Sequence, residues 1–489
     1  MGEGSPRSTG RWRAPVALLL LFGAVVALNP AGFIGAGADD THYLSAARCW
    51  AEHGPCLPHD HWQARWPLVA PFGLMIALFG ESRLSLGIVP LVAEITCLFG
   101  LAAIGNRLFG RPAGWLAAML LAVIPAFALD ALDPNVDVIE LAFLILSACA
   151  IIANDGHQGN VRILLAGILA GLAFQTRETS LVGLPLLVAL IAQFNREQWR
   201  RHLLLFAAGF GVPILAELIA SGLLTGDPLW RRHLSLAHIT IASSEIDQVM
   251  APGTSPFFNL DLVRGWHHSS GIHVHWLLDG LLNLVADSRA SFVLLLAPAL
   301  LWLFRRELAP IERRTLIGLL LFSLLAALLL IFALAIDPKA RMFMVSLATS
   351  CLVLGTLLAR LWRSPARIML LTATATAVLP GLVTIAVSLR PYEADRAARR
   401  WLQTYPSAIE VDPPARSALL LIPEIGSVPA SGSGRPFRIM LSEHDCQELI
   451  RPGASSVARP VLVDSRPLSW FPSLYPGSAA SLCLFRISS

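Results

Sequence analysis

Charged residues are scarce in this chain of 489 residues: Asp, Glu, Lys and Arg make up 14% of it, against 55% hydrophobic residues. Because a soluble domain carries about 25% charged residues, the composition excludes a soluble globular protein and indicates a polytopic membrane protein. The formal net charge is only +4. Nucleic-acid binding depends on a concentrated basic surface, so nucleic acid is not expected as a partner.

Cysteine is scarce as well, with seven residues and no CxxC pair. The CxxC spacing is typical of zinc sites, so the cysteine pattern predicts none. Three cysteines fall within apolar runs and are expected as small core residues. Four lie in segments expected outside the membrane, where disulfides form. The disulfides considered for those four are Cys49–Cys56 and Cys446–Cys483.

The sequence also lacks an internal repeat and gives no support to an inverted-repeat transporter. It contains instead a series of apolar runs of roughly 17–25 residues, the length that crosses a bilayer. We predict about eleven spans, the first of them an uncleaved helix rather than a signal peptide. The spans lie near residues 14–33, 84–105, 112–129, 136–153, 161–176, 179–194, 202–223, 290–304, 315–336, 342–360 and 367–389.

The distribution of arginine orients these spans. Cytoplasmic loops carry an excess of Lys and Arg, and here basic loops alternate with loops that are mostly acidic. With Arg7, Arg11 and Arg13 in the cytoplasm, an odd number of spans places the C-terminal region outside. The expected location is the bacterial inner membrane.

Two apolar segments do not fit a simple span. Residues 62–80 contain an arginine and two prolines, and counting them as a span would invert the charge of every later loop. We interpret them as an interfacial helix on the outer membrane face or a short helix buried in the bundle. The runs 161–176 and 179–194 are separated only by Arg177 and Glu178. They represent two spans or one kinked element.

The predicted fold class is an all-α polytopic membrane protein with a small extramembrane α/β or β domain. Residues 1–13 are assigned to the cytoplasm, residues 14–390 to the membrane domain and residues 391–489 to the external C-terminal domain. External loops are expected near residues 34–83 and 225–289. The C-terminal region has one helix-like segment, Tyr392–Thr404, and β-like runs at Ala418–Ile422, Phe437–Leu441, Pro460–Val463 and Leu482–Ile487.

The acidic pair Asp39-Asp40 directly follows the first apolar run. Carboxylates are costly near hydrocarbon and usually functional there. A partly desolvated carboxylate is also a stronger base, as required to take a proton from an acceptor hydroxyl. Because Asp is a favoured N-cap residue, the pair can instead cap the next helix.

Basic residues at the outer membrane boundary are few, and several of them are candidates for binding a lipid-linked phosphate. Arg177 breaks the charge rule, since it lies at a junction expected to be free of basic residues. It can alternatively snorkel to the interface beside Glu178. Lys339 and Arg341 open the tenth span from outside and can alternatively anchor that span at the interface.

Two further groups of polar residues invite a functional interpretation. Asp133 and Asp137 share one face at the start of the fourth span, as a helix cap or as part of a site. Histidines cluster in both external loops, but their spacing is not diagnostic of a metal site. No metal or other cofactor is predicted. The histidines concerned are His53, His59, His61, His267, His268, His273 and His275.

The order of these features resembles the GT-C superfamily of glycosyltransferases that use polyprenyl-phosphate-linked sugars. Within it, the likeness is to the protein O-mannosyltransferase and lipid A aminoarabinose transferase group. There an acidic pair and an aromatic residue follow the first span, as Asp39, Asp40 and Tyr43 do here. The other matching stretches are Arg65–Pro71, Phe79–Leu84, Leu108–Arg111 and Gly167–Thr179.

The likeness covers roughly residues 14–195 and extends more loosely to residue 390, with two departures. The acidic pair is Asp-Asp, where these proteins often have Asp-Glu. Arg177 stands where they often have Lys. Arginine still binds phosphate, through a bidentate fork rather than a point charge.

The resemblance implies a sugar transfer to an external glycolipid, lipopolysaccharide or protein by a single displacement with inversion. Asp39 would be the general base, and Asp40 would orient it or bind the sugar. A membrane lipid that carries the sugar on a phosphate would be the donor. Residues expected to bind substrate are Tyr43, Arg65, Asp133, Asp137, Arg177, Glu178, Lys339 and Arg341.

Two other functions remain open at this point. A transporter or flippase would use carboxylates in mid-membrane, for which Glu94 and Glu217 are the candidates. A polymerase or ligase of surface polysaccharide would place its key residues in the loop over residues 225–289.

Overall fold

The structure is a computed structural model. It describes residues 13–28, 39–132, 134–153, 159–194, 196–236, 276–334, 339–387, 391–412, 415, 419, 425, 428–429, 434–442, 454–456, 461–462 and 481–487.

The described part of the chain up to residue 387 is mostly helical, with short connections between most of its elements. Its α-helices are α1 (Arg13–Leu28), α2 (Asp39–His53), α3 (Trp66–Phe79), α4 (Arg83–Phe109), α5 (Arg111–Ala122), α6 (Pro125–Ala128), α7 (Val136–Ile152), α8 (Gly159–Thr176), α9 (Leu184–Phe194), α10 (Trp199–Thr225), α11 (Trp276–Ala286), α12 (Val293–Phe304), α13 (Pro310–Leu328), α14 (Met344–Leu361) and α15 (Arg367–Val387). Tighter 3₁₀ turns lie at Leu129–Leu132, Glu178–Gly183, Ser288–Ala290 and Ala340–Phe343, and a π-helical turn extends α13 over Leu329–Ala333.

Among the described residues, six helices are long and apolar enough to cross a membrane. There are seven if Arg111–Ala122 and Pro125–Ala131, which are bent by 68° at their junction, form one broken span. Four further apolar helices have 10–17 residues, fewer than the ~20 that a full span requires. These elements establish a mostly helical, multi-pass membrane protein.

Helix α3 forms most of the apolar segment 62–80. Its 14 residues are about 21 Å long, too short to cross the bilayer. Leu68, Val69 and Phe72 are buried, whereas Leu78 and Phe79 are exposed. The helix therefore packs one face on its neighbours α2 and α4 and leaves the other face uncovered, a geometry compatible with an interfacial helix.

Glycines allow a close helix contact between α8 and α10. A Cβ atom added to Gly167 would overlap the carbonyl oxygen of Phe206, and one added to Gly209 would overlap that of Leu164. Small residues at such crossings let two backbones approach inside a membrane. The crossing fixes α8, whose C-terminal end leads directly to Arg177.

The C-terminal region has a hydrophobic core of its own. Helix α16 (Pro391–Thr404) packs through Ala398 and Trp401 against a sheet with Ile439 and Leu484. Strands β1 and β2 are parallel, and β5 is antiparallel to β2, β3 and β4. The strands are β1 (Ile409–Val411), β2 (Phe437–Ser442), β3 (Ala454–Ser456), β4 (Val461–Leu462) and β5 (Ser481–Ile487).

The β-like runs at 437–441, 460–463 and 482–487 thus coincide with strands β2, β4 and β5. Of the run at 418–422, only Leu419 is described, in a turn, and the rest lies outside the described residues. The loop expected over residues 225–289 ends in helix α11, where the sequence predicts no helix. With 11 residues, α11 is too short to register as a span.

The predicted disulfide Cys49–Cys56 is confirmed, with 6.0 Å between its Cα atoms. It ties the end of α2 to the chain that leads to α3. Cys483 is also in a disulfide, and Cys446, its expected partner, lies outside the described residues. Cys97, Cys149 and Cys351 are free, as expected of cysteines within apolar helices.

Candidate active site

The acidic pair lies at the start of a helix, because α2 begins at Asp39. Carboxylates in the first turn are favoured by the helix dipole, which fits the capping interpretation. A role in catalysis is equally compatible with this place. The side chains of Asp39 and Asp40 lie outside what the structure describes.

Tyr43, one turn further along α2, contacts the predicted phosphate binder Arg65. The Arg65 guanidinium donates a hydrogen bond to the Tyr43 hydroxyl, and its central carbon lies 5.7 Å from the centre of the Tyr43 ring. Both side chains are buried. Since Arg65 directly precedes α3, this contact joins the starts of α2 and α3 and brings a cation to the helix that bears the acidic pair.

A second contact stabilises the same loop. His42 Nδ1 lies 2.7 Å from Asp60 Oδ2, and the His42 ring stacks on Trp62 with 4.4 Å between ring centres. Burial acts to raise the pKa of Asp60, but its hydrogen bond with His42 lowers it, and the balance holds this pKa below its usual 3.8. These contacts fix the loop before α3 against the first turn of α2.

Among the described residues, a single group of His, Cys, Asp and Glu side chains has a geometry that could hold a metal ion: Cys49, His53 and Cys56. Two of its three members form the disulfide, which removes their thiolates as ligands. The described part of the site therefore offers no donor set that favours a metal.

Arg177 and Arg341 meet at one carboxylate. Arg177 donates a hydrogen bond to Asp137 Oδ1, and Arg341 Nε lies 3.9 Å from Asp137 Oδ2. Asp137 is in the first turn of α7, where Asn135 acts as the N-cap by accepting from the Asp137 amide. The cap role considered for Asp137 therefore falls to Asn135.

Glu178 does not pair with its neighbour Arg177. It accepts hydrogen bonds from Arg231, at 2.7 Å from Nη2 and 3.1 Å from Nε. Arg231 also donates to the Gln175 carbonyl oxygen at 2.7 Å and lies 3.4 Å from Glu217. Glu178 is thus ion-paired with Arg231 in the segment that follows α10.

That segment also contacts the first external loop. Residues 230–236 are helical, and Trp230 Nε1 donates to the Pro58 carbonyl oxygen at 3.1 Å. The start of the long loop is in this way fixed to both α8 and the loop before α3.

Asp287 positions the segment that carries Lys339 and Arg341. The buried Asp287 carboxylate accepts from the Ala340 amide at 2.9 Å and from the Arg289 amide at 2.9 Å. It therefore joins the turn before α12 to the turn before α14. The sequence alone does not single out Asp287, because its partner is 53 residues away.

An apolar groove leads towards this cluster. It has a volume of about 390 Å³ and lies between α11, α12, α13 and α14, with Trp302 and Arg305 at one end. Ser346 lines the other end and also lines a small cavity beside Asp137, Glu140 and Arg341. The groove and the cavity that Arg341 lines therefore adjoin at Ser346.

The predicted site residues thus form three described groups. Asp137, Arg177 and Arg341 form one, with Lys339 just before the turn of Arg341. Tyr43 and Arg65 form another, and Glu178 joins Arg231 and Glu217 in the third. Arg65 is close enough for its charge to act on Glu178. Asp133 lies outside the described residues.

Comparisons with known proteins bear on these groups. Residues 67–219 match the sequence model of the family described as dolichyl-phosphate-mannose-protein mannosyltransferase. The match extends from α3 into α10 and includes Asp137 and Arg177. A search of curated proteins gives no match.

Solved structures are similar over most of the chain. The oligosaccharyltransferase AglB from Archaeoglobus fulgidus, in complex with an inhibitory peptide and a dolichol-phosphate, is 12% identical with a TM-score of 0.52, over 89% of this chain and 70% of that one. The apo form of the A. fulgidus enzyme also has 12% identity and a TM-score of 0.52, over 88% and 66%. ArnT from Cupriavidus metallidurans, bound to undecaprenyl phosphate, is 12% identical with a TM-score of 0.40, over 98% of each chain.

The predicted resemblance is confirmed by the family match and by the fold shared with the archaeal enzyme. The chain has the fold of a GT-C membrane glycosyltransferase.

Proposed function

We propose that this protein is a membrane glycosyltransferase that moves a sugar from a polyprenyl-phosphate-linked donor to an acceptor outside the membrane. The observation that supports it best is the meeting of Arg177 and Arg341 at Asp137, beside the end of the apolar groove. A lipid with a phosphate head matches both features, because arginine binds phosphate through several N–H donors.

In the proposed reaction Asp39 removes the proton from the acceptor hydroxyl. The acceptor oxygen bonds to the anomeric carbon of the sugar with inversion, as the bond from that carbon to the phosphate oxygen breaks. The leaving group is the polyprenyl phosphate, and the cations stabilise the charge that develops on it. Asp40 orients the base or binds the sugar.

The remaining substrate-binding roles are proposed in the same way. Arg65, Arg177, Lys339 and Arg341 serve the phosphate, and Tyr43 holds Arg65 through its hydroxyl. Glu178, which accepts a hydrogen bond from Arg231, is proposed to bind substrate. Asp133 is also proposed to bind substrate.

The proposed lipid class is supported by the groove and by one comparison. The groove is almost entirely apolar along α12 and α13, which suits an isoprenoid chain. The archaeal enzyme with the similar fold is in complex with a dolichol-phosphate. We propose no metal or other cofactor for the reaction.

The proposed topology has about eleven spans, a cytoplasmic N-terminus and an external domain over residues 391–489. The disulfide Cys49–Cys56 supports an external first loop, because disulfides persist in oxidising compartments. The proposed location is a bacterial inner membrane, and the acceptor is a cell-envelope glycolipid, lipopolysaccharide or protein.

The test is mass spectrometry of lipids that co-purify with the wild-type protein. A polyprenyl phosphate, with or without its sugar, is the expected result, and an intact donor would identify the sugar. Phospholipids alone, at the proportions of the surrounding membrane, would contradict the proposed donor.

A further inference from the structure

Asp137 is a buried carboxylate that lies against two arginines. Its side chain is 3% exposed, with Oδ1 bonded to Arg177 and Oδ2 3.9 Å from Arg341 Nε. Both carboxylate oxygens therefore face arginines. The sequence predicts that Asp137 binds substrate, and the described contacts of its carboxylate are with the two cations.

The three residues come from separate parts of the chain. Asp137 lies in the first turn of α7, and Arg177 lies at the break between α8 and the 3₁₀ turn that follows. Arg341 lies in the turn before α14, which Asp287 holds through the Ala340 amide. The carboxylate of Asp137 is the common point between these segments.

The cluster is rich in N–H donors, because it contains two guanidinium groups. Two cations share the Asp137 carboxylate, and Glu140 lines the same small cavity as Asp137 and Arg341. A guanidinium has five N–H donors, and the described bond from Arg177 to Asp137 uses one nitrogen. A phosphate is the anion whose geometry suits such a fork of donors.

We propose that Asp137 is a positioning residue, which holds Arg177 and Arg341 so that their guanidinium groups converge on the phosphate of the lipid donor. This inference rests on the proposed function. As the bond to the sugar breaks, the phosphodiester becomes a monoester, with a charge of about −1.5 to −2 at pH 7. Arginines already oriented by Asp137 stabilise that added charge without reorganising.

The test uses farnesyl phosphate as a short monoester probe and farnesol as its uncharged counterpart. Binding of each is measured by calorimetry on the full-length protein in detergent. Wild type should bind farnesyl phosphate more tightly than farnesol. Asp137→Asn should weaken farnesyl phosphate binding about 10- to 100-fold, since misplaced groups lose up to about two orders of magnitude, and should leave farnesol binding unchanged.

The matched control is Glu312→Gln. Glu312 forms an ion pair with Arg360 and lines neither the groove nor the cavity beside Asp137. This variant should bind both probes as wild type does, which separates the loss of any acidic residue of an ion pair from the loss of Asp137.

A second variant separates weaker binding from a folding defect. It is needed because removing one partner of a buried ion pair can destabilise the fold. Asp137→Glu keeps the negative charge but moves it by one methylene. Positioning predicts a normal melting temperature with farnesyl phosphate binding about tenfold weaker. If folded Asp137→Asn or Asp137→Glu bound farnesyl phosphate as wild type does, the positioning role would be overturned.

Failure of the proposed function and failure of the positioning role give different results. If wild type itself did not prefer farnesyl phosphate to farnesol, the proposed donor class would be wrong, whatever Asp137 does. If wild type showed that preference and both Asp137 variants kept it, only the role of Asp137 would be wrong.

Discussion

Arg231 pairs with Glu178, with 2.7 Å between Nη2 and Oε1, although Glu178 is the direct neighbour of Arg177. The two neighbouring residues therefore have different partners. Glu178 pairs with Arg231 in the segment after α10, and Arg177 pairs with Asp137 on α7. A local Arg177–Glu178 pair at the interface is therefore not what this junction forms. Arg177 is instead buried within the bundle.

The first prediction concerns the strength of that link. Arg231→Met should lower the free energy of unfolding by about 1–3 kcal/mol, because Glu178 and Glu217 lose hydrogen bonds from a charged donor. Arg232→Met is the matched control, since Arg232 is exposed next to it. Thermal unfolding in detergent should show a lower melting temperature for the first variant alone. Equal melting temperatures would mean that the link contributes nothing to stability.

The glycine crossing of α8 and α10 gives a second prediction. Gly209→Ala should destabilise the protein by about 1–3 kcal/mol, because the added methyl overlaps the Leu164 backbone and forces the helices apart. Gly211→Ala, two residues along the same helix, meets nothing within 4 Å. It should be neutral or stabilising by up to about 1 kcal/mol, the helix-propensity gain. Chemical unfolding of both variants measures the difference, and equal stability of the two would contradict a tight crossing at Gly209.

A third prediction concerns Glu94, the mid-membrane carboxyl that a transporter would use. Glu94 is fully buried in α4, and neither of its carboxyl oxygens has a hydrogen-bond partner in the described part of the chain. An unpaired buried polar group costs about 1–3 kcal/mol. Glu94→Met should therefore raise the melting temperature, and Glu94→Gln should leave it nearly unchanged.

The same two variants separate the functions considered at the outset. A glycosyltransferase with its site at α2 and α7 should keep full activity in Glu94→Gln and Glu94→Met. Loss of sugar transfer in both folded variants would contradict a site confined to α2 and α7. Sugar transfer kept in both variants would argue against a function that relies on a titrating carboxyl in mid-membrane.

The fourth prediction concerns topology. A reporter enzyme fused after residue 390 should report an external location, because the proposed topology has about eleven spans after a cytoplasmic N-terminus. Fusions after Arg200 and after Arg363, in basic loops, should report the cytoplasm and serve as controls. A cytoplasmic signal from the fusion at 390 would contradict the proposed number of spans.

Local patterns predict much of this architecture. Arg177 breaks the charge rule, and the structure buries it in an ion pair. Cys49 and Cys56 lie seven residues apart in a loop expected to be external, and they form a disulfide. The β-like run at 437–441 is the core of β2. In each case the information lies within a few residues of sequence.

Contacts between distant segments could not be predicted. Arg231 and Glu178 are 53 residues apart, as are Asp287 and Ala340, and nothing local selects either partner. The α8–α10 crossing brings such segments together, and a single chain does not reveal which apolar helices are neighbours. Asp137 is recognisable as a candidate from the sequence, but its two arginine contacts require the fold.

The most direct test of the central claim compares the lipids that co-purify with wild type and with Asp39→Asn. The variant should insert and fold normally but lack the base that starts transfer. It should therefore retain a polyprenyl phosphate with its sugar attached, whereas wild type should contain mainly the sugar-free polyprenyl phosphate. If mass spectrometry showed the same lipids in both proteins, or no polyprenyl lipid in either, the proposed reaction at Asp39 would be contradicted.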